Sequence, residues 1–215
     1  MPRRPKPSSK PPPSTSAAST SPSPSHTDAI LFPTPTAFAS WLRTNHASTP
    51  QGIWLRISKK SAPEPSVTYD EALDIALCYG WIDGQRKSLP IPGTHFAQRF
   101  TPRRRGSLWS RRNVEKVAVL EADGRMQEAG RAEVQAARED GRWERAYAGS
   151  RDVQVPADFE TALRARGNEV WEFFDGLGKT QRYPFLMRLQ TARTDEMRRK
   201  KMEQFVDLLA ERKTL

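Results

Sequence analysis

Thr68-Tyr69-Asp70-Glu71-Ala72-Leu73-Asp74-Ile75-Ala76-Leu77-Cys78-Tyr79-Gly80-Trp81-Ile82-Asp83-Gly84 carries a helix start, a helix stop and a strand in one run. Thr68 followed three residues later by Glu71 is a capping box, in which each side chain satisfies a backbone N–H at the helix start. The helix it opens is predicted over 69–79, with Leu73, Ala76 and Leu77 on one face. Gly80 ends it, because glycine accepts the left-handed backbone of a helix C-terminus. Trp81-Ile82-Asp83 then reads as a short buried strand turned by Gly84. A helix running directly into a strand makes this region α+β.

Working outward, Thr36 is a candidate cap for a short helix carrying Phe38, Trp41 and Leu42. Gly52-Ile53-Trp54-Leu55-Arg56-Ile57 is rich in branched and aromatic residues and reads as a strand. Downstream, residues 95–101 alternate Phe96, Gln98 and Phe100, the period of a half-buried strand. Ser110 is a candidate cap for a helix facing inward with Val114, Val117, Ala118 and Leu120 and stopped near Gly124. A further helix is predicted over 128–139, with Trp143 and Tyr147 following as core anchors. Residues 149–156 are linker-like, and four helical patterns follow: Phe159 and Leu163; Val170, Phe173, Phe174 and Leu177; Phe185, Leu186 and Leu189; and, from Asp195, Met197, Met202, Phe205 and Leu209. The expected fold class is α+β, a small mixed sheet with packed helices followed by an all-helical C-terminal unit packed on it. The expected division is a tail at 1–28, an α+β region at 29–148 and the helical unit at 149–215.

The tail is built from Pro, Ser and Thr and cannot bury enough apolar surface to offset its ordering entropy, so it is expected to be disordered. Pro2-Arg3-Arg4-Pro5-Lys6 has the form of a nuclear localisation signal, and the acid-free Ser/Arg character also suggests a transit peptide, which the prolines oppose. Among 215 residues there is one cysteine, Cys78, which excludes an internal disulfide and a cysteine-based structural zinc site. No apolar run approaches the roughly 20 residues of a bilayer span. The expected location is cytoplasmic, with a nuclear one open.

Charge carries the functional signal. The chain has a net charge of +10, which argues for an anionic partner. Residues 84–114 contain no Asp or Glu, yet carry Arg86, Lys87, Arg99, Arg103, Arg104, Arg105, Arg111 and Arg112. Thr101-Pro102-Arg103-Arg104 leads from a strand toward the helix start at Ser110 and Asn113. Guanidinium forks, hydroxyls and helix N-terminal N–H groups are the parts of an anion site. Phosphate suits them, on a small molecule or on a nucleic-acid backbone, and Phe100 and Trp109 could stack on a base. Equally, the arginines can pair with acids of the helices while Trp109 serves the core. The candidate ligand-binding residues are Trp81, Asp83, Arg99, Arg103, Arg104, Ser110 and Asn113.

Asp83 is the one candidate general acid or base, which would make the protein an enzyme on a small anionic substrate. An ion pair with a nearby arginine is the alternative for it. Cys78 reads as a small buried core residue, since a reactive thiol needs a positioned base. His46 and His95 lack metal-ligand spacing, and no nucleotide or hydrolase motif occurs, so no metal and no cofactor are expected. Arg198-Arg199-Lys200-Lys201 is a second basic cluster, either a solvated face with i,i+4 pairs or a surface for an acidic protein partner. Arg104-Arg105-Gly106-Ser107 has the form of a phosphoacceptor context, as do Ser21-Pro22 and Ser23-Pro24.

Several of these segments, in order, resemble the YdeI/OmpD-associated family, also labelled bacteriocin-protection. They are Tyr69-Asp70-Glu71-Ala72-Leu73, Cys78 through Gly84, Gln98 through Arg104, Trp109-Ser110 with Asn113, Gly124-Arg125-Met126 with Ala129-Gly130, Asp140-Gly141-Arg142-Trp143, Ala146-Tyr147, and Ala192 with Glu196 and Arg198. The resemblance runs from about Phe38 to Lys213. Met197 stands where the family has Thr, and Leu89-Pro90-Ile91-Pro92-Gly93 where relatives carry an Asp. The family's name records genetic associations with stress or bacteriocin resistance and brings no reaction. The resemblance therefore implies a non-enzymatic, stress-associated intracellular protein, with the anion site read from the arginines.

Overall fold

The computed structural model describes residues 24–60, 62–89 and 93–215. The tail motif at Pro2–Lys6, Ser21-Pro22 and most of Leu89–Gly93 lie outside the described residues. Described structure begins with a 3-10 turn, His26–Asp28, inside the segment read from sequence as tail. Pro24 and His26 sit on Trp54: its indole N–H donates to the Pro24 carbonyl at 3.0 Å, and the His26 ring packs edge-on against it.

Helix α1 (Pro35–Asn45) is capped by Thr34 rather than Thr36, with Pro35 at its first position, where no backbone N–H is needed. Strand β1 spans Ile53–Ser58, helix α2 Tyr69–Cys78, strand β2 Trp81–Ser88 and strand β3 His95–Pro102. The capping box at Thr68 and Glu71 is present, and Gly80 takes φ +72°. The sheet has the order β1-β3-β2 and both of its ladders are antiparallel; the parallel pairings among the described residues are two isolated bridges, Ile30 to Leu55 and Ser110 to Tyr147.

Strand β2 is longer than the sequence suggests, because Gly84 does not turn the chain. It lies in a bulge between Asp83, opposite Phe100, and Arg86, opposite Gln98. The buried Gln98 amide fills the break, donating to the Gly84 carbonyl at 2.9 Å and the Gln85 carbonyl at 3.3 Å. A bulge leaves carbonyls without ladder partners, and a buried carboxamide supplies the donors.

Helices α3 (Arg111–Ala122) and α4 (Glu128–Glu139) complete the first half. Ser110 caps α3 as expected, but Ala118 is exposed and Asn113 is the inward residue. Phe38, Leu55, Leu73, Trp81, Phe100, Trp109 and Val117 are among the buried residues of its core. At Gly130 a Cβ would meet the Cys78 carbonyl at 2.2 Å, so only glycine lets α4 approach the end of α2 this closely.

The C-terminal part is helical: α5 (Ala157–Arg166), α6 (Asn168–Gly176), α7 (Lys179–Gln190) and α8 (Asp195–Ala210). Phe159, Leu163, Phe174, Phe185, Phe205 and Leu209 form a second, separate core, joined by edge-to-face aromatic contacts. Met197, read as part of the apolar side of α8, is 45% exposed instead. The two cores are tied at Ala148: its N–H donates to Gln190 at 3.0 Å, and its carbonyl accepts from the Tyr183 hydroxyl at 3.3 Å. Among the described residues, no helix is long and apolar enough to cross a membrane.

Candidate functional site

Helices α2 and α3 start side by side and run in the same direction. Arg112 pairs with Asp70 and Lys116 with Asp74, each across the same separation of 42 residues. A constant offset means a parallel register, so both positive helix ends point the same way. Between them stands Tyr69, with the Arg86 guanidinium 5.1 Å and the Arg112 guanidinium 5.6 Å from its ring centre. The Tyr69 hydroxyl donates to Asp83 at 2.7 Å. Burial, then Asp83 itself, push the Tyr69 phenol up to about 12, so it remains a donor at neutral pH. Asp83 is half-buried and also bears on Arg103 and on Tyr147, whose phenol burial likewise pushes up.

Five of the seven candidate residues gather in this neighbourhood. Trp81, buried beneath it, donates its indole N–H to the His46 carbonyl at 3.3 Å. The Arg103 N–H bonds the Gly80 carbonyl at 2.9 Å, next to Trp81 and close to Asp83. Ser110 forms a bridge with Tyr147 and accepts the Asn113 N–H at 3.2 Å. The other two lie elsewhere. Arg99 is on the far face of the sheet, over the Trp54 ring and bonded to the carbonyls of Pro24 and Gln51. Arg104 is exposed in the turn after β3. Strand alternation separates Arg99 from Phe100 and Asp83, a division that basic-residue counting does not see.

Arg103 is 7% exposed. Its guanidinium lies 3.4 Å from the Trp109 ring centre, and Nη1 donates to Ser107 Oγ at 3.3 Å and the Leu108 carbonyl at 3.2 Å. Its Nε and Nη2, with the Trp109 Nε1, are buried and have no hydrogen-bond partner among the described residues. Burial pushes Arg103 down to about 10, with Glu133 the largest opposing influence. The stacking role read for Phe100 and Trp109 does not hold. Both are buried, and the Trp109 ring lies under the Arg103 guanidinium and in a T-shaped contact with Trp143. Cys78 is the buried core residue expected, and burial pushes its thiol up to about 11.

One arginine of the basic run, Arg105, lines a cleft that the sequence reading missed. Residues 105–108, the turn at Asp140–Arg145 and the α7–α8 connection enclose about 370 Å³, lined by Arg105, Arg142, Arg145, Arg193, Thr191 and Asp140. Four arginines face one carboxylate. Arg142 is 8% exposed; its Nε holds Asp140 at 2.7 Å and its Nη1 the Ser107 carbonyl at 2.8 Å. Arg142 in turn holds the Asp140 carboxyl below the usual range. Arg105 and Arg193 make no side-chain hydrogen bond or ion pair among the described residues. Arg142 and Arg193 are distant in sequence and come together only because the second core packs against the first.

A larger cleft, about 710 Å³, is lined by Ser110, Arg111, Arg112, Ser150 and Arg151 together with Glu115 and Asp152. It is closer to neutral, and Arg112 there is committed to Asp70. At the other basic cluster, Arg198 grips Asp158 with both terminal nitrogens, and Arg199–Glu203 and Lys200–Glu196 form the i,i+4 pairs of a solvated helix face. Among the described residues no three His, Cys, Asp or Glu side chains stand together as metal ligands.

Residues 152–212 match the family model described as Bacteriocin-protection, YdeI or OmpD-Associated. Residues 30–133 match a different model, described as Domain of unknown function (DUF8412). The family match thus covers the C-terminal part alone, and most of the earlier motifs that carried the resemblance fall in the other model. No curated protein and no solved structure matches the chain.

Proposed function

We propose that this chain, YdeI/OmpD-associated-like in its C-terminal part, binds a phosphate-bearing small anion where the Thr101-Pro102-Arg103-Arg104 segment runs into the arginine cleft. The observation that carries the reading is Arg142: a guanidinium 8% exposed, fixed by Asp140 and Ser107, at the wall of a cleft it shares with Arg105, Arg145 and Arg193. A planar fork locked in place loses little entropy on pairing with an anion, and planar forks match phosphate oxygens two at a time. Arg103 does not touch the ligand in this reading. It braces the loop from inside, holding Ser107 and Leu108. The unpaired Arg105 and Arg193 close over the anion from the two sides.

Calorimetry with inorganic phosphate and pyrophosphate tests this. One saturable site is expected, and the double variant R105A/R193A, altered at two exposed positions, is expected to bind at least about tenfold more weakly. Absence of saturable binding, or equal binding by the variant, refutes the reading. A nucleic-acid backbone as ligand would instead give affinity falling steeply with salt, because each neutralised phosphate releases counterions.

A further inference from the structure

Ser107 sits where two nearly buried guanidinium groups meet. Arg103 donates to its Oγ at 3.3 Å and Arg142 to its carbonyl at 2.8 Å, and these arginines are 7% and 8% exposed. Arg103 keeps Nε and Nη2 buried without a partner among the described residues, although unmet buried donors are costly. One neutral hydroxyl is a weak answer to that much positive charge. A dianion at the same oxygen would be a strong one.

Ser107 is itself half-buried, but the chain leading to it is open to an enzyme. Residues 103–109 belong to no helix or strand, and Arg104, Arg105 and Gly106 are exposed. The Ser107 N–H closes a turn on the Arg104 carbonyl at 2.9 Å, and Gly106, at φ +77°, has open space where a Cβ would be. Arginines three and two residues before the half-buried serine are thus exposed, and the space beside Gly106 is open.

We propose that Ser107 is a phosphorylation site for a serine kinase that recognises preceding arginines, with Arg103 and Arg142 as the internal receptor of the phosphate. The Ser107 Oγ bonds to the γ-phosphorus of a nucleoside triphosphate as the bond to its β,γ-bridging oxygen breaks. The serine proton passes to the kinase's base, and the nucleoside diphosphate leaves. The product carries about −1.5 to −2 of charge at neutral pH beside the unpartnered Arg103 donors. The inference shares Arg142 with the cleft but goes beyond its ligand, because the unmet donors belong to Arg103, which does not line the cleft.

The test uses the full chain, a serine kinase of that specificity and ATP, with the modified residue located by fragmentation mass spectrometry. Ser107 is expected to be the principal site, lost in S107A and modified at least about tenfold more slowly in R104A/R105A, which leaves Arg103 in place. The phosphorylated chain is expected to melt higher than the unmodified one, by about 2–4 °C. Its phosphorus resonance is expected to titrate at lower pH than in the isolated phosphopeptide, since paired guanidinium groups favour the dianion. Modification elsewhere with Ser107 untouched overturns the site. A phosphorylated chain that melts lower, or whose phosphate titrates as in the free peptide, overturns the receptor. A chain carrying phosphoserine installed at 107 during synthesis gives the melting and titration readouts independently of the kinase.

Discussion

Replacing Arg103 by methionine is expected to leave stability within about 1 kcal/mol of the native protein, whereas replacement by alanine costs about 2–4 kcal/mol. The difference follows from opposing contributions at one side chain. Burial pushes the guanidinium down to about 10, which corresponds to a penalty of order 3 kcal/mol for burying the charged form. Below pH 10 the group is charged in both folded and unfolded chains, so the whole neutral range carries that penalty, and relief begins only as pH rises through 10. Against it stand two bonds from a charged donor, to Ser107 at 3.3 Å and Leu108 at 3.2 Å, both at the weak end of about 1.5–3 kcal/mol. Stacking on Trp109 at 3.4 Å adds about 2 kcal/mol for a desolvated pair. The two unmet buried donors, Nε and Nη2, add about 1 kcal/mol each to the penalty, so the two sides nearly cancel. Methionine gives up both while still covering the Trp109 face. Alanine uncovers that face and leaves a cavity. Urea unfolding followed by tryptophan fluorescence reads the first core selectively, because Trp41, Trp54, Trp81, Trp109 and Trp143 belong to that half and only Trp171 to the second. A methionine variant as unstable as the alanine variant refutes the reasoning and makes the Arg103 charge a net stabiliser.

The glycine at the α2–α4 contact and the ion pair on α8 give two more tests. G130A is expected to lose at least about 2 kcal/mol in thermal unfolding, because its Cβ would lie 2.2 Å from the backbone carbonyl of Cys78; G124A, at φ +65° with open space around it, is expected to lose about 1 kcal/mol. The Arg198 guanidinium holds the Asp158 carboxyl below its usual range, so the pair's contribution is present above about pH 4 and is lost as pH falls through the lower folded value. Melting of the native chain should therefore drop more between about pH 4 and pH 2 than that of R198A, by an amount corresponding to about 1 kcal/mol for this partly exposed bidentate pair.

Much of the secondary structure was legible, for local reasons. The Thr68–Glu71 box and the Ser110 cap are set by side chains reaching backbone groups within one turn, and the stops at Gly80 and Gly141 by the left-handed backbone that glycine accepts. The errors share a different origin. Gly84 reads as a turn because Asp-Gly is turn chemistry, but the β3 ladder holds it in a bulge. Ala118 reads as inward because it is apolar, but Asn113 occupies the buried face. Of the candidate residues, Trp81, Asp83, Arg103, Ser110 and Asn113 converge because the β2–β3 pairing and the α3 start adjoin one another. Arg99 diverges because it alternates to the other face of the same strand.

A basic α+β chain with a helical C-terminal part and an acid-free arginine run can be read from residue order alone, because composition, capping and periodicity act over a few residues. Which arginines are paired and which are free is settled by how the elements pack. Arg103 is stacked inside on Trp109, Arg112 and Arg198 are held by Asp70 and Asp158, and Arg142 meets Arg193 across the join of the two cores. Charges interact through space at distances that chain order does not encode, so their pairing follows from packing.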